Sequence, residues 1–297
     1  MSIRALRTLI SVQKHGSFRA AADNEHLTPA AISQQMRNLE ISLNLTLFDR
    51  SGRSPRLTDI GLDLVGEAAL VVEAYDTLAD KVAGIDDISG ELILGAVPTT
   101  LTGLVPLALS QLKILHPGLQ IRIVPGLSNQ LLLQLDRGHI HAALISRPEI
   151  LTPSLVFSKI ATEELVLLVA AKIQAQSAND LLLSQPFIRF NRDAVVGRQI
   201  EAWLQSRDIV VHDAMELEGL EAISSMVAAN LGISIVPKRC IDESEHLHLK
   251  TLPLGLDAPK RTLGIVRRAN TPKAKIIGAA ETALLKAVDT GKFTMEP

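Results

Sequence analysis

Three arginines stand at intervals of three residues around a short segment with turn chemistry. They are Arg50, Arg53 and Arg56. The turn is predicted at Ser51-Gly52, between two short extended pieces at 46–49 and 55–57, so the segment reads as a hairpin. Guanidinium groups presented by a small hairpin can neutralise phosphates and fix the register of a protein on nucleic acid, without reading its sequence.

A predicted helix just before the hairpin carries side chains that could read bases. Thr28 is a good N-cap, and Pro29 falls at the first helical position, where its missing N–H costs nothing. One stripe at 4-3-4 spacing is apolar and predicted to be buried: Ile32, Met36, Leu39 and Leu43. The opposite face holds Ala30, Ser33, Gln34, Arg37 and Ile41. Its polar members can donate hydrogen bonds to base edges, so we expect Ser33, Gln34 and Arg37 to enter the major groove. Thr28, Pro29 and Ala30, at the start of the helix, are also expected to contact DNA.

Two further helices are needed to hold this helix in place. The first is predicted from the helical spacing of Ile3, Leu6, Leu9 and Ile10, and it ends near His15-Gly16. Ser17 can cap the second helix. Two short helices, a turn and a capped helix with a polar outer face predict a helix-turn-helix, and the hairpin makes it a winged one. The alternative is a small three-helix bundle whose charges are merely solvated.

The charge distribution supports contact with nucleic acid more than the net charge of −2 suggests. Residues 1–57 carry eight basic and four acidic side chains, a net charge of +4. Residues 58–90 carry eight acids and one lysine, a net charge of −7, and residues 91–297 carry a net charge of +1. A basic head, an acidic connector and a nearly neutral body are typical of a DNA-binding module joined to a separate domain.

The acidic connector is predicted to be a long helix capped by Thr58. Its apolar positions alternate at 4-3-4-3-4 spacing, as in a coiled-coil seam: Leu64, Ala68, Val71, Tyr75, Leu78 and Val82. This pattern favours dimerisation, and the alternative is an amphipathic helix packed on its own domain. The helix should end within 84–90, a plausible hinge.

From Glu91 onward the pattern alternates between strands and helices. Strands are predicted at 91–97, 119–124, 141–146, 164–171, 186–190 and 232–237. Helices are predicted at 101–115, 128–137, 196–206 and 218–229. Such alternation predicts an α/β body with largely parallel sheets.

The N-terminal sixty residues resemble the DNA-binding domain of LysR-type transcriptional regulators. The shared motifs are GSF-x-x-AA, x-S-x-Q-[IM]-x-x-LE, LF-x-R and R-x-x-x-LT-x-x-G. The matching residues are Gly16-Ser17-Phe18, Ala21-Ala22, Ser33, Gln35, Met36, Leu39-Glu40, Leu47-Phe48, Arg50, Arg53, Leu57-Thr58 and Gly61. The resemblance continues more weakly over the rest of the chain. It implies a transcriptional regulator with a linker helix and a periplasmic-binding-protein-like effector domain.

The resemblance also implies a division of the chain. We expect a winged helix-turn-helix at 1–58, a linker helix and hinge at 59–90, and an effector-binding domain at 91–297. Subdomain I would comprise 91–162 and 267–297, and subdomain II 163–266. The chain departs from the family pattern at its recognition helix, where Gln34 stands in place of a frequent arginine. It departs again at His141, where the family's G-x-x-D-x-A pattern has an acid.

A small effector is expected in the cleft between the subdomains, because open α/β sheets bind ligands beyond strand carboxyl ends and at helix N-termini. Nine residues follow predicted strands or begin predicted helices there: Thr99, Thr100, Ser128, Ser146, Arg147, Asn191, Arg192, Glu218 and Gly219. Thr100 and Ser128 could instead simply cap helices, and Arg147 and Arg192 could be surface charges. If either arginine faces the cleft, a carboxylate-bearing effector is favoured.

Catalysis and metal binding have little support. The pairs His139/His141 and His246/His248 lack a cysteine or an acidic cluster to complete a metal site, and Cys240 has no partner cysteine. We therefore expect no enzyme activity, no cofactor and no metal. The predicted partners are double-stranded DNA, a small effector and further copies of the chain in a homodimer or homotetramer, with RNA polymerase a further candidate.

No signal-peptide pattern opens the sequence, and no membrane span is expected, so the chain is predicted to be cytoplasmic. The alternative from another class is a solute-binding or transport protein built like the body alone. The basic head and the missing signal peptide disfavour that alternative, and an enzyme ranks third.

Overall fold

The computed structural model describes residues 2–52, 54–76, 78, 88–174, 177–239 and 248–291. Arg53, Val82, Cys240, His246 and most of the predicted hinge lie outside these residues. The chain forms two compact units. The first comprises Met1–Asp87 with Leu133–Ile140 and Asn270–Ala274; the second comprises Ile88–Leu132, His141–Ala269 and Lys275–Pro297.

The N-terminal part of the first unit contains the predicted helices and hairpin. Its elements are α1 (Ile3–His15), α2 (Phe18–Glu25), α3 (Pro29–Leu43), β1 (Phe48–Asp49), β2 (Arg56–Leu57) and α4 (Asp59–Asp76). The Ser17 and Thr28 hydroxyls accept hydrogen bonds from backbone N–H groups three residues on, and so cap α2 and α3. Gly16 ends α1 in the left-handed region, with a φ of +73°, which glycine adopts without steric cost.

The three helices pack around one apolar core that also holds the base of the hairpin. Ile32, Met36 and Leu39 of the α3 stripe are buried, and Leu43 is partly buried against them. The rings of Phe18 and Phe48 meet edge to face with centroids 4.9 Å apart, tying α2 to β1. The polar face of α3 is therefore fixed relative to the hairpin by the core beneath both.

The structure corrects the predicted seam of α4 at its first two positions. Ala68 is only 2% exposed within the N-terminal core, and Leu64 packs partly buried against the same core. They contact their own domain, as the alternative interpretation had it, and offer little to a second copy. Further along, Val71, Tyr75 and Leu78 are 45%, 57% and 58% exposed. An apolar stripe left open in the single chain therefore begins only at Val71.

The elements after α4 alternate between strands and helices only in part, because β5 is followed by β6, and β9 by β10 and β11. A short 3₁₀ turn lies at Pro98–Thr100. They are β3 (Gly90–Ala96), α5 (Leu104–Leu115), β4 (Leu119–Pro125), α6 (Ser128–Asp136), β5 (Ala142–Ser146), β6 (Leu155–Ala170), α7 (Ala178–Ser184), β7 (Pro186–Phe190), α8 (Val195–Ser206), β8 (His212–Leu217), α9 (Leu220–Ala228), β9 (Ser234–Pro237), β10 (Leu249–Pro253), β11 (Lys260–Arg268) and α10 (Ala274–Thr290).

The sheets are mixed, so the prediction of largely parallel sheets is only half right. Strand order is β10-β6-β11-β5-β3-β4, with β9 also on β6. Strand β3 pairs in parallel with β4 and β5, and β7 with β8. Strands β6 and β11 pair antiparallel from Glu164/Lys260 to Leu155/Arg268. The last residues of β6 then pair with β9 and β10, so this strand continues from one half of the sheet into the other.

His141 stands at the edge where β5 meets β3. The imidazole Nδ1 of His141 accepts a hydrogen bond of 2.9 Å from the backbone N–H of Ile93. The backbone N–H of His141 donates to the Ile93 carbonyl. Burial lowers the pKa of His141; nearby Glu91 acts the other way, and Arg268 and Arg122 lower it further. An unprotonated imidazole thus accepts the hydrogen bond at the position where the family pattern has an acid.

Acidification should therefore destabilise the fold through His141. Because its folded pKa lies below the unfolded value, this contribution to stability is fully present above about pH 6.5 and is lost as pH falls through the folded pKa. We expect acidification to lower the free energy of unfolding of the wild type by about 1 kcal/mol through this hydrogen bond. The variant His141→Asn, whose amide oxygen can accept the same hydrogen bond at any pH, should not show this loss. Urea unfolding at pH 7.5 and pH 5 measures it. His212→Asn, at an exposed position on β8, is the control, and an equal effect of both substitutions would refute the assignment.

Candidate nucleic-acid interface and ligand cavity

The outer face of α3 presents most of the side chains predicted to contact bases. Thr28, Pro29, Ala30, Gln34 and Arg37 are exposed, and Ser33 is half-buried. The Gln34 amide donates a hydrogen bond of 3.0 Å to the Asn38 side chain one turn on. This contact holds Gln34 along the helix and leaves its carbonyl oxygen available as an acceptor.

Glu40 connects α3 to the hairpin. One of its carboxylate oxygens accepts hydrogen bonds from the backbone N–H groups of Leu47 and Phe48, at 2.8 and 3.0 Å. The other accepts from Arg50 at 2.6 Å. Burial acts to raise the pKa of Glu40, but the hydrogen bonds from Arg50, Leu47 and Phe48 outweigh it and hold the pKa below its usual value. Sequence reasoning included Glu40 in a motif without recognising this positioning role.

The hairpin arginines therefore differ in what they can do. The Arg50 guanidinium is paired with Glu40 and lies 5.8 Å from the centroid of the Phe48 ring, so a phosphate would have to compete for it. Arg56 is exposed on β2, and Arg53 lies outside the described residues. Gly61 of α4 sits so close to the hairpin that an added Cβ would lie 2.3 Å from the Leu47 carbonyl oxygen, which explains the glycine there.

A small cavity in the second unit collects five of the nine predicted effector residues. They are Thr99, Ser128, Ser146, Glu218 and Gly219. The cavity has a volume of about 30 Å³, roughly the room of one or two water molecules. Apolar atoms of Leu127, Phe190 and Val196 complete much of its wall. Strand ends and helix N-termini converge here as predicted.

The other four predicted effector residues do not line this cavity. Thr100 is buried and donates its hydroxyl to the Val97 carbonyl at 2.8 Å, which is a local turn contact. The Asn191 side chain accepts from the backbone of Asp193, also a local contact. These two side chains form hydrogen bonds with nearby backbone groups and do not line the cavity. Thr99 and Phe190, the residues directly before them in the chain, line it in their place.

Neither of the predicted effector arginines lines the cavity. The exposed Arg147 guanidinium lies 5.4 Å from the centroid of the Phe157 ring. Arg192 donates to Glu216 at 2.7 and 3.0 Å, and this ion pair holds the pKa of Glu216 below its usual value. Neither arginine therefore supports the binding of a carboxylate-bearing effector in this cavity.

A different arginine, which sequence reasoning missed, does line the cavity. Arg261 lies on β11, is 1% exposed, and stands directly across from Glu163 of β6 in the antiparallel register. Its Nε donates to the Glu163 carboxylate at 2.9 Å, and Nη2 donates to the same oxygen. Nη1 donates to the Thr99 hydroxyl at 2.7 Å. The guanidinium thus joins both long strands to the turn after β3.

Two hydroxyl groups in the cavity wall remain available to a ligand. Ser128, at the start of α6, and Ser146, at the end of β5, are both buried side chains that line the cavity. Neither hydroxyl makes a hydrogen bond with any part of the chain that the structure describes. Since each hydroxyl can donate one hydrogen bond and accept two, the cavity can bind a small polar molecule.

A larger open depression lies between α7, the end of α8 and the segment after β10. It has a volume of about 680 Å³ and is lined by Trp203, Arg207 and Asp257, among others. Arg207 and Asp257 pair with each other at 2.7 Å, and the Trp203 indole N–H donates to the Asp257 carbonyl. Its charged groups thus already have partners, and it holds none of the predicted effector residues.

The described residues include neither a candidate metal site nor a candidate membrane helix. No group of three or more histidine, cysteine, aspartate or glutamate side chains there could hold a metal ion. Within the same residues, no helix is long and apolar enough to cross a membrane.

Comparison with known proteins matches both parts of the chain to family models. Residues 3–62 match the model "Bacterial regulatory helix-turn-helix protein, lysR family". Residues 86–287 match the "LysR substrate binding domain" model. The match to the substrate-binding model alone covers more than half of the chain.

Similar proteins and structures cover nearly the whole chain. The DNA-binding transcriptional dual regulator OxyR of Escherichia coli K12 is 28% identical over 285 residues, covering 92% of this chain and 91% of that protein. A probable RuBisCO transcriptional regulator of Nostoc is 27% identical, covering 98% and 90%. A full-length OxyR from Pseudomonas aeruginosa with a cysteine-to-aspartate substitution matches with a TM-score of 0.80 at 23% identity, covering 100% and 99%. CbnR in complex with its target DNA matches with a TM-score of 0.64 at 22% identity, covering 97% and 100%.

Proposed function

Because the chain belongs to the LysR family of DNA-binding transcriptional regulators, we propose that it reads an operator with α3 and anchors itself through the hairpin. The observation that carries this proposal is the exposed polar face of α3, with Gln34 and Arg37 outward, on a helix fixed to the hairpin by Glu40. Ser33, Gln34 and Arg37 would enter the major groove, and Arg56 and Arg53 would contact phosphates. Arg50 would act mainly by positioning the hairpin.

The DNA contacts can be separated by their dependence on sequence and salt. Arg56→Ala should weaken binding to specific and random DNA alike and reduce the salt slope by about one. Gln34→Ala should alter sequence preference and leave affinity for random DNA unchanged. Quantitative gel shifts at several salt concentrations measure both, with the promoter region beside the chain's own gene and a scrambled duplex as probes.

A matched control is available in the body. Arg122 is exposed on β4, so Arg122→Ala removes the same charge from the chain without touching the proposed DNA surface. We expect its affinity and salt slope to equal those of the wild type. If Gln34→Ala and Arg56→Ala reduced binding to specific and random duplexes equally, the proposed division between base and phosphate contacts would be wrong.

We propose that the cavity around Arg261, Ser128 and Ser146 is the effector site. A ligand that binds one arrangement of the surrounding elements better than another would shift the population of DNA-binding states. One relative, named a hydrogen peroxide-inducible genes activator and from Haemophilus influenzae, is 26% identical over 279 residues. The present sequence has a single cysteine, so it cannot form an intrachain disulfide, and we propose that its signal is a bound molecule.

We also propose how the chain is divided into domains and how copies of it associate. We propose a DNA-binding domain at 1–58, a linker at 59–90 and an effector domain at 91–297, and a homodimer or homotetramer joined through α4. The domain composition supports a regulator without enzyme activity. We propose that it acts on DNA in the cytoplasm and that RNA polymerase is a candidate partner. The family membership gives no support to a transport protein.

A further inference from the structure

The charges around the effector cavity define the kind of molecule that it can accept. Arg261 is the cation of its wall, and its charge is balanced by the buried carboxylate of Glu163. Glu218 also lines the wall, but its side chain is exposed to solvent. Among the described residues, the wall therefore has one cation, and that cation is already paired with a buried carboxylate.

An anionic ligand would gain from the N-termini of α6, α8 and α9 at the wall, but it could not use Arg261 without disturbing the buried ion pair with Glu163. To use Arg261 as a partner, a carboxylate would have to share or displace Glu163, whose side chain is buried. Displacement would leave a buried carboxylate without its guanidinium, which is strongly unfavourable. Sharing would place two like charges together in a site of low dielectric constant.

A neutral polar molecule meets a different situation. The guanidinium has five N–H donors, of which three are used by Glu163 and Thr99. Within the described part of the chain, two N–H groups therefore remain without a partner. The hydroxyls of Ser128 and Ser146, which also have no partner there, line the same cavity. An uncharged oxygen could accept from these donors, and a donor on the ligand could bond a serine oxygen, without disturbing the ion pair.

We propose that the effector is a small uncharged polar molecule, such as an amide or an alcohol, and not an organic acid. This inference rests on the proposed role of the cavity as the effector site. The cavity volume of about 30 Å³ limits a ligand to very few non-hydrogen atoms unless the surrounding elements move apart.

The test compares acetamide with acetate, which have the same shape and differ in charge. The full-length protein is unfolded thermally in increasing acetamide or sodium acetate at constant ionic strength, and Ser146→Val serves as the reference variant with one hydroxyl removed and the space filled. At ten times its Kd, acetamide should raise the unfolding midpoint of the wild type by on the order of 3 °C more than it raises the midpoint of Ser146→Val. Acetate should shift both proteins equally.

A second variant tests the charge argument itself. Glu163→Gln leaves Arg261 without its counter-charge, so acetate should now raise the unfolding midpoint more than acetamide does. If this variant does not fold, the comparison of the wild type with Ser146→Val decides alone. A larger specific shift with acetate in the wild type would overturn the ligand class and leave the site in place. If each compound shifted the unfolding midpoints of the wild type and Ser146→Val equally, the proposed site and the proposed ligand class would both be wrong. The proposed DNA contacts would be unaffected, because gel shifts test them independently.

Discussion

Replacing Arg261 by methionine is expected to lower the free energy of unfolding by about 3–5 kcal/mol, because it removes the guanidinium that pairs with the buried carboxylate of Glu163. Arg261 is 1% exposed near the start of β11, and Glu163 lies opposite it in the middle of β6. Methionine fills a similar volume, so the loss is electrostatic more than steric. The Thr99 hydroxyl would also lose its donor. Urea unfolding of the effector domain at pH 7.5 measures the change.

The double variant Glu163→Leu/Arg261→Met separates lost charge from lost packing. With both ionic groups gone, the site holds two apolar side chains, and we expect most of the stability to return. Arg198→Met, at an exposed position on α8, is the control for removing a positive charge and should change the free energy of unfolding by less than about 0.5 kcal/mol. A cost below 1 kcal/mol for Arg261→Met would mean that Glu163 finds other compensation, and the charge balance proposed for the cavity would fail with it.

The N-terminal domain was largely predictable because its signals are local. Thr28 and Ser17 cap helices through bonds to N–H groups three residues away, so cap and helix start lie in one short window of sequence. The buried stripe of Ile32, Met36 and Leu39 follows from helical periodicity alone. The role of Glu40 was less accessible, since it depends on the chain turning back to place Leu47 and Phe48 against α3.

The cavity was only partly predictable because it is assembled from distant segments. Ser128 and Ser146 stand at a helix start and a strand end, positions that pattern can locate. Arg261 lies on a strand that the pattern did not assign, and its partner Glu163 is 98 residues away along the chain. Two adjacent basic residues, Lys260 and Arg261, are typical of an exposed segment. Only the antiparallel pairing of β6 and β11 shows that Arg261 is buried.

The linker helix shows where periodicity alone is ambiguous. A 4-3-4 series is satisfied equally by packing on the chain's own domain and by packing on a second copy. In α4 the first two positions pack internally and the next three are exposed. Val65 and Val72 also pack against the core formed by α1 to α3, and Asp76 pairs with Arg7 of α1. Val71 and Tyr75 are therefore exposed because they lie on a different side of the helix, so one apolar series has two different environments.

Tyr75→Asp is expected to separate the protein into monomers and thereby to weaken operator binding by about 100-fold or more, because two linked heads gain affinity from an effectively intramolecular second contact. Tyr75 is 57% exposed on α4 between Val71 and Leu78, and a carboxylate in an apolar interface would be desolvated without a partner. Light scattering should show the mass falling to the 32.0 kDa of one chain, with binding measured by gel shift. Leu62→Asp adds the same charge to an exposed apolar position of α4 outside the 4-3-4 series and should leave both unchanged. A dimer that survived Tyr75→Asp would place the contact between copies on another surface of the chain.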